Sequence, residues 1–395
     1  MSTRDAEFES IRAYTDADLP DVLRRLKRDR ELLGMLARYR LPRFSRFAPG
    51  AARLALRLAL GCKLVRVKSI FDFQERITSE YFFQMLESSV SDFEIDGLEN
   101  LPQTGGALLL SNHRDIILDP TFVDYALYTR RHATARLATG DNLTSIPFAA
   151  ELMRLNKSFW VKRGESSPRK LLANLKTLSR YIRLSIVKDG ELVWLAQREG
   201  RAKHGLDTTE TAVLKMLKLA ENRLNWQETC TQLRPIPVSI AYEYDPCDLA
   251  KAAELVNLAR TGVQQKDDTA SVAASITVPK GRVSIRFGAM LSASEETTAD
   301  ELARACDSAI MGSYRLFPSN HTALGMLVVE GAYNGEAEAI AKTPFADFSA
   351  ARNWFANEEK DEAFIQRANA VADPLVRQVL LAMYANPCVS RWRLR

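Results

Sequence analysis

Between residues 93 and 287 short apolar runs recur that are too brief to be buried helices and are set apart by longer stretches with helical spacing. The runs are Ala107–Leu110, Phe159–Val161, Leu192–Ala196 and Pro235–Ala241, and Arg282–Phe287 reads as a further strand. A strand covered on both faces reads in this way, as unbroken apolar sequence rather than as alternation. Phe93–Gly97, which is more polar, reads as an edge strand and its turn. Helical patterns fill the gaps, from about Pro120 to Tyr128 and from Ser167 to Lys188, the second with Leu171, Leu172, Leu175, Leu178 and Ile182 on its stripe. The alternation predicts an α/β fold with a mixed sheet flanked by helices. Helical extensions lie on both sides of it. Residues 18–90 carry one, and patterns such as Leu302, Ala305 and Ala309, then residues 361–384, point to the other. The expected organisation is a basic helical region at 1–90, an α/β domain at 91–330 and a C-terminal helical extension at 331–395. Gln264–Ser271 reads as a polar loop.

The net charge of +5 hides a local excess. Fourteen Lys and Arg stand between Arg24 and Lys68, opposed only by Asp29 and Glu31. Such a segment expects an anionic partner. Within it, Arg53 and Arg57 sit four apart among Leu and Ala, the spacing of a basic helix that can lie in a membrane interface. No recognisable nucleic-acid reader accompanies the charge, so nucleic acid is the weaker partner. The five cysteines are scattered and never form a C-x-x-C pair, which suits a reducing compartment and gives no zinc site. The start of the chain lacks a signal peptide's apolar stretch, and no run reaches the roughly 20 apolar residues of a bilayer span. A peripheral place on the cytoplasmic face of a membrane is expected.

One strand end carries chemistry. Ser111-Asn-His-Arg-Asp-Ile-Ile-Leu-Asp-Pro120 puts His113 just beyond the 107–110 run, with two aspartates, Asp115 and Asp119, close behind. Open α/β sheets present reactive side chains at such ends. A histidine held by a carboxylate takes a proton from a hydroxyl near neutral pH. Equally, either aspartate suits the N-cap of the next helix.

Three further polar strand ends follow in order, and together the four resemble the blocks of the glycerolipid acyltransferases, which acylate glycerol-3-phosphate and lysophosphatidate. Asn112, His113, Asp119 and Pro120 correspond to the family's first block. Phe159-Trp-Val-Lys-Arg163 corresponds to the second, Glu199-Gly-Arg-Ala-Lys203 to the third and Ile236-Pro-Val-Ser-Ile240 to the fourth. The likeness covers roughly Phe93 to Phe287, and Ala241-Tyr-Glu-Tyr244 looks most like the glycerol-3-phosphate branch. The family places four residues between its His and Asp, whereas five stand here. Either a bulge absorbs the extra residue, or Asp115 contacts His113 and Asp119 caps the helix. In the third block the basic pair comes one residue early, and a shifted alignment puts Arg198 at the glutamate position.

The resemblance implies an enzyme that moves a fatty acyl group from acyl-CoA or acyl carrier protein to a hydroxyl of glycerol-3-phosphate or 1-acylglycerol-3-phosphate, in phospholipid synthesis. His113 would be the general base and Asp119 its orienting partner. Arg163 and Arg201, assisted by Lys203, would hold the acceptor's phosphate. Glu199, beside Gly200, would hold the glycerol hydroxyl or the basic pair. No metal and no cofactor are implied. The partners would be the acyl donor, a phosphorylated acceptor and an anionic membrane. Alternatives of the same shape are an acyltransferase for another lysolipid and a non-catalytic lipid-binding protein.

Overall fold

The computed structural model describes residues 7–395, except 166, 265–267, 331–332, 334 and 356–359. Seven strands occur among them: β1 (Val90–Asp96), β2 (Ala107–Ser111), β3 (Arg136–Gly140), β4 (Ser158–Val161), β5 (Leu192–Ala196), β6 (Pro235–Tyr242) and β7 (Gly281–Phe287). The chain divides into two compact units, residues 1–86 with 135–181, and residues 87–134 with 182–395.

The first unit is mostly helical. Helices span Leu19–Leu26, Arg30–Arg40, Pro42–Phe47 and Pro49–Leu64. The Asp29 side chain caps the second by accepting from Leu32 N–H at 2.8 Å. Pro42 and Pro49 stand in the first turns of the next two, where the missing N–H costs nothing and the ring presets φ. Leu19, Val22, Leu23 and Leu26 form a stripe that packs with Phe73, Phe148 and Leu155. The early helices therefore share one core with the helix Pro147–Leu155. In the same unit β3 and β4 pair in parallel, Ala138 opposite Phe159 and Gly140 opposite Val161.

The second unit holds a mixed sheet in the order β1-β7-β6-β2-β5. All its pairings are parallel except β6 with β7. β1 is the edge strand, as its polar sequence expects. β2 lies between β5 and β6 and is buried at every residue, which is why it reads as Ala-Leu-Leu-Leu. At roughly 2 kcal/mol for each buried leucine, this strand is a rigid place from which to project a side chain. β6, likewise buried throughout, explains the Pro-Ile-Pro-Val run. The helix Leu118–Thr129 follows β2 and buries Phe122, Val123, Ala126 and Leu127. The segment read as a loop at Gln264–Ser271 differs in part: the helix Asp268–Thr277 takes up its second half, while 265–267 lie outside the described residues. Its Ala and Ser residues tolerate a helix once the charged start is passed.

The C-terminal helix, Pro374–Trp392, is buried along most of its length against Val256, Leu324, Leu327, Phe348 and Phe364. Pro387 stands inside it and has no N–H to offer the carbonyl of Met383, four residues earlier. That carbonyl faces Gly205, where a Cβ would stand 2.0 Å from the oxygen. Gly205 also has φ +80°, so both backbone and space exclude a side chain there. Beside it Asn386 Nδ2 donates to the carbonyl of His204 at 2.6 Å. No helix among the described residues is long and apolar enough to cross a membrane.

Candidate active site

The end of β2 is fixed before it reaches His113. Asn112 is fully buried, and its amide exchanges two hydrogen bonds with the backbone of Ile240, Nδ2 to the carbonyl at 2.9 Å and Oδ1 from the N–H at 2.8 Å. One side chain thus extends the β2–β6 ladder by a step. On the other side Gln197 N–H donates to the carbonyl of Ser111 at 2.8 Å.

His113 then meets Asp119. Its Nδ1 lies 2.9 Å from Asp119 Oδ2, with the carboxylate fully buried and the imidazole 13% exposed. The same Oδ2 accepts from the backbone N–H of Arg114 at 2.6 Å and of Asp115 at 2.9 Å. Oδ1 accepts from the Tyr242 hydroxyl at 2.7 Å. Four donors thus converge on one buried carboxylate. Nδ1–H facing that carboxylate sets the tautomer in which Nε2 carries the lone pair. The Trp194 indole packs edge-on against the ring at 5.9 Å between centroids, and its Nε1–H donates to Ser111 Oγ.

Asp115 serves differently. Its Oδ1 accepts from the N–H groups of Ile117 and Leu118 at 3.0 and 2.9 Å, so it closes the turn into the helix Leu118–Thr129. Burial, and then the neighbouring Asp119, pushes its carboxyl above the ordinary value. The five intervening residues are therefore taken up by a turn whose first two N–H groups wrap around Asp119.

Arg114 turns inward from the same turn. Its guanidinium is buried and pairs with Asp207, donates to the carbonyl of Gly205 at 3.2 Å, and lies 5.5 Å from the centroid of the Tyr314 ring. Burial is the largest influence and opposes the charge, but Asp207, Tyr314 and Asp245 together outweigh it and hold the guanidinium above its ordinary range. The carbonyl of Arg114 accepts from Lys251 Nζ at 2.6 Å, and that ammonium is in turn held by both oxygens of Asp245, at 2.5 and 2.6 Å. Both of these buried cations, Arg114 and Lys251, have a carboxylate, the condition under which such charges are tolerated.

The third block closes over the same turn, because Ala202 N–H donates to the carbonyl of His113 at 2.8 Å. This brings Glu199, Gly200, Arg201 and Lys203 into the neighbourhood of the His–Asp pair. Glu199 is exposed, with its N–H donating to Glu210 Oε2 at 3.2 Å. Gly200 takes φ +73° with open space around it, so its need for glycine is conformational. Arg201 is half-buried, and Lys203 pairs with Glu254. Next to them burial, then the charges of Lys342, Arg198 and Arg114, pushes the imidazole of His204 down to about 4. Arg163 belongs to the other unit. There its N–H donates to Asp141 Oδ1 at 3.0 Å, and its guanidinium lies over Gly140, within 3.0 Å of where a Cβ would stand.

Sequence reading missed Tyr242, Lys251 and the Arg114–Asp207 pair. For Tyr242 no spacing in the sequence gives the contact, which arises from the pairing of β2 with β6.

Residues 92–218, about a third of the chain, match the family model described as Acyltransferase. The segment that bears the His–Asp pair is thus an acyltransferase-family domain. Among solved structures, the 1-acyl-sn-glycerophosphate (LPA) acyltransferase PlsC from Thermotoga maritima is similar at 14% identity and a TM-score of 0.39, over 71% of this chain and 95% of that one. No curated protein matches the chain.

Proposed function

We propose that the protein transfers a fatty acyl group from a thioester, acyl-CoA or acyl carrier protein, to a hydroxyl of glycerol-3-phosphate or 1-acylglycerol-3-phosphate. The observation that carries this reading is the His113–Asp119 contact at the end of β2, which leaves Nε2 as the proton acceptor. Nε2 takes the acceptor's proton as its oxygen attacks the thioester carbonyl, and Asp119 stays ionised beside the imidazolium. When the tetrahedral intermediate collapses, the C–S bond breaks and the proton passes to the departing thiolate. The products are an ester and a free thiol. No serine or cysteine need be acylated on the way.

The loop of Glu199, Gly200, Arg201 and Lys203 would receive the acceptor's phosphate. Arg201 would be the principal cation and Lys203, tied to Glu254, the secondary one. Arg163 is proposed for the same role on the strength of its block. Docking on anionic lipid would use the helices Pro42–Phe47 and Pro49–Leu64. They expose Phe44, Phe47 (88%), Leu54 and Leu58 together with Arg43, Arg46, Arg53 and Arg57, the mix of an interfacial helix.

Purified protein should consume acyl thioester only when glycerol-3-phosphate or lysophosphatidate is present. His113→Ala should abolish the reaction; undiminished turnover in that variant sinks the mechanism. Binding to anionic vesicles should weaken in Leu54→Glu/Leu58→Glu. Deleting residues 1–68 would be a poorer test, because it removes part of the core shared with Phe148 and Leu155.

A further inference from the structure

The geometry points to Tyr242 as a positioning residue for His113, its hydroxyl fixing the rotation and the charge of Asp119 from the far side of the carboxylate. The inference rests on the proposed role of His113 and Asp119. Asp119 has two oxygens with unequal company. Oδ2 carries His113 and two backbone N–H groups, whereas among the described residues Oδ1 accepts from the Tyr242 hydroxyl. Three donors hold one oxygen of a carboxylate that still turns about Cβ–Cγ within the slack of those bonds, and the fourth, on the other oxygen, narrows that rotation. Tyr242 is itself well placed for this. It ends β6, two residues beyond the Ile240 that Asn112 grips, and its ring packs against Phe122 at 5.9 Å between centroids. The helix Leu118–Thr129, which carries Asp119 in its first turn, therefore also braces the tyrosine.

The hydroxyl is a donor at every working pH. Burial, and then the charge of Asp119, holds the phenol well above its ordinary value. Other charged groups face it too. Asp115 and Asp245 add negative potential, while Arg114 and Lys251 are already committed to Asp207 and Asp245. Removing the hydroxyl changes none of these charges. It changes only how much of the Asp119 charge is spent on Tyr242 rather than on the imidazole. Without it the dyad holds its proton more tightly, so the base is lost at a higher pH.

The test measures His113 directly, so that its outcome does not depend on the substrate. The chain has only four histidines, and labelled imidazole signals can be assigned with His113→Ala. In the full-length protein, Tyr242→Phe should move the titration midpoint of His113 up by about half a unit to one unit. Ring-fluorinated tyrosine at 242, a stronger donor of the same shape, should move it down. Where acyl transfer is measured, the acid limb of kcat should follow the same shifts, and kcat should fall about ten- to a hundredfold in the Phe variant with KM little changed. A tyrosine that merely fills space leaves the midpoint unmoved, and that result overturns the inference. If Tyr242→Phe does not fold, the fluorinated protein decides alone: no downward shift overturns it. Wild-type protein without acyl transfer but with both shifts would refute the proposed function and leave the positioning role standing.

Discussion

Replacing Asp119 by asparagine isolates the carboxylate's charge from its geometry. The amide can turn only one way, because its NH2 cannot face the three donors now on Oδ2: His113 Nδ1–H and the N–H groups of Arg114 and Asp115. Its oxygen must take that place and its NH2 must face Tyr242, whose hydroxyl can rotate to accept. His113 therefore keeps both its tautomer and its position, and what disappears is the attraction between imidazolium and carboxylate. With charge centres about 4 Å apart and an effective dielectric near 20, that attraction is about 4 kcal/mol. The neutral hydrogen bond that remains restores about 1 kcal/mol. A deficit of roughly 3 kcal/mol in the transition state corresponds to a loss of about a hundred- to several-hundredfold in kcat. The acid limb of the pH profile should move to lower pH, since the imidazolium has lost its partner. Asp115→Asn should stay within about threefold of wild type, because its carbonyl can still accept from Ile117 and Leu118. Steady-state turnover of a chromogenic thioester from pH 5 to 9 reads both. A loss under tenfold for Asp119→Asn, or an equal loss for Asp115→Asn, refutes the assignment of Asp119 as the charged partner.

Three other outcomes are expected. Gly205→Ala places a Cβ 2.0 Å from the Met383 carbonyl at φ +80°, so it should cost at least about 3 kcal/mol in urea unfolding; a change under about 1 kcal/mol would mean that the loop does not sit on the C-terminal helix. Lys251→Met leaves Asp245 buried without its cation and should destabilise by about 3–5 kcal/mol, with most of the loss recovered in Lys251→Met/Asp245→Asn. His204 is held at about 4 in the folded chain against 6.5 as its ordinary value, so the unfolded chain binds its proton first. Its contribution to stability is complete above pH 6.5 and is lost as the pH falls toward 4, by up to about 3 kcal/mol before screening at this half-buried site. His204→Gln should flatten that slope in unfolding curves taken at pH 4 to 7, and an unchanged slope would assign the acid sensitivity elsewhere.

Much of the strand content was legible because buried strands advertise themselves. Leu192–Ala196 has the same bounds in sequence and structure, and β2, β4, β6 and β7 differ by a residue or so. β3 went unread because Arg-Leu-Ala-Thr-Gly is short and half polar, the same texture as a loop. The helix Asp268–Thr277 was hidden by its charged start. At the site, the resemblance of the blocks led to His113 and to two candidate acids. Which acid makes the contact was not legible, because a turn of a few residues decides it by pointing N–H groups rather than by spacing. Tyr242 was out of reach for a different reason: it stands 123 positions from Asp119, and only the pairing of β2 with β6 brings them together.

The docking of Gly205 and His204 on Met383 and Asn386 also sets an order of events. The two halves of that contact are separated by 178 positions between Gly205 and Met383, all of which must be synthesised before the contact can form. At ordinary ribosomal speed this takes roughly ten to forty seconds. Through that interval the loop with Arg201 and Lys203 has left the ribosome without the helix it rests on. Its contacts are therefore completed late, when the far end of the sequence reaches it.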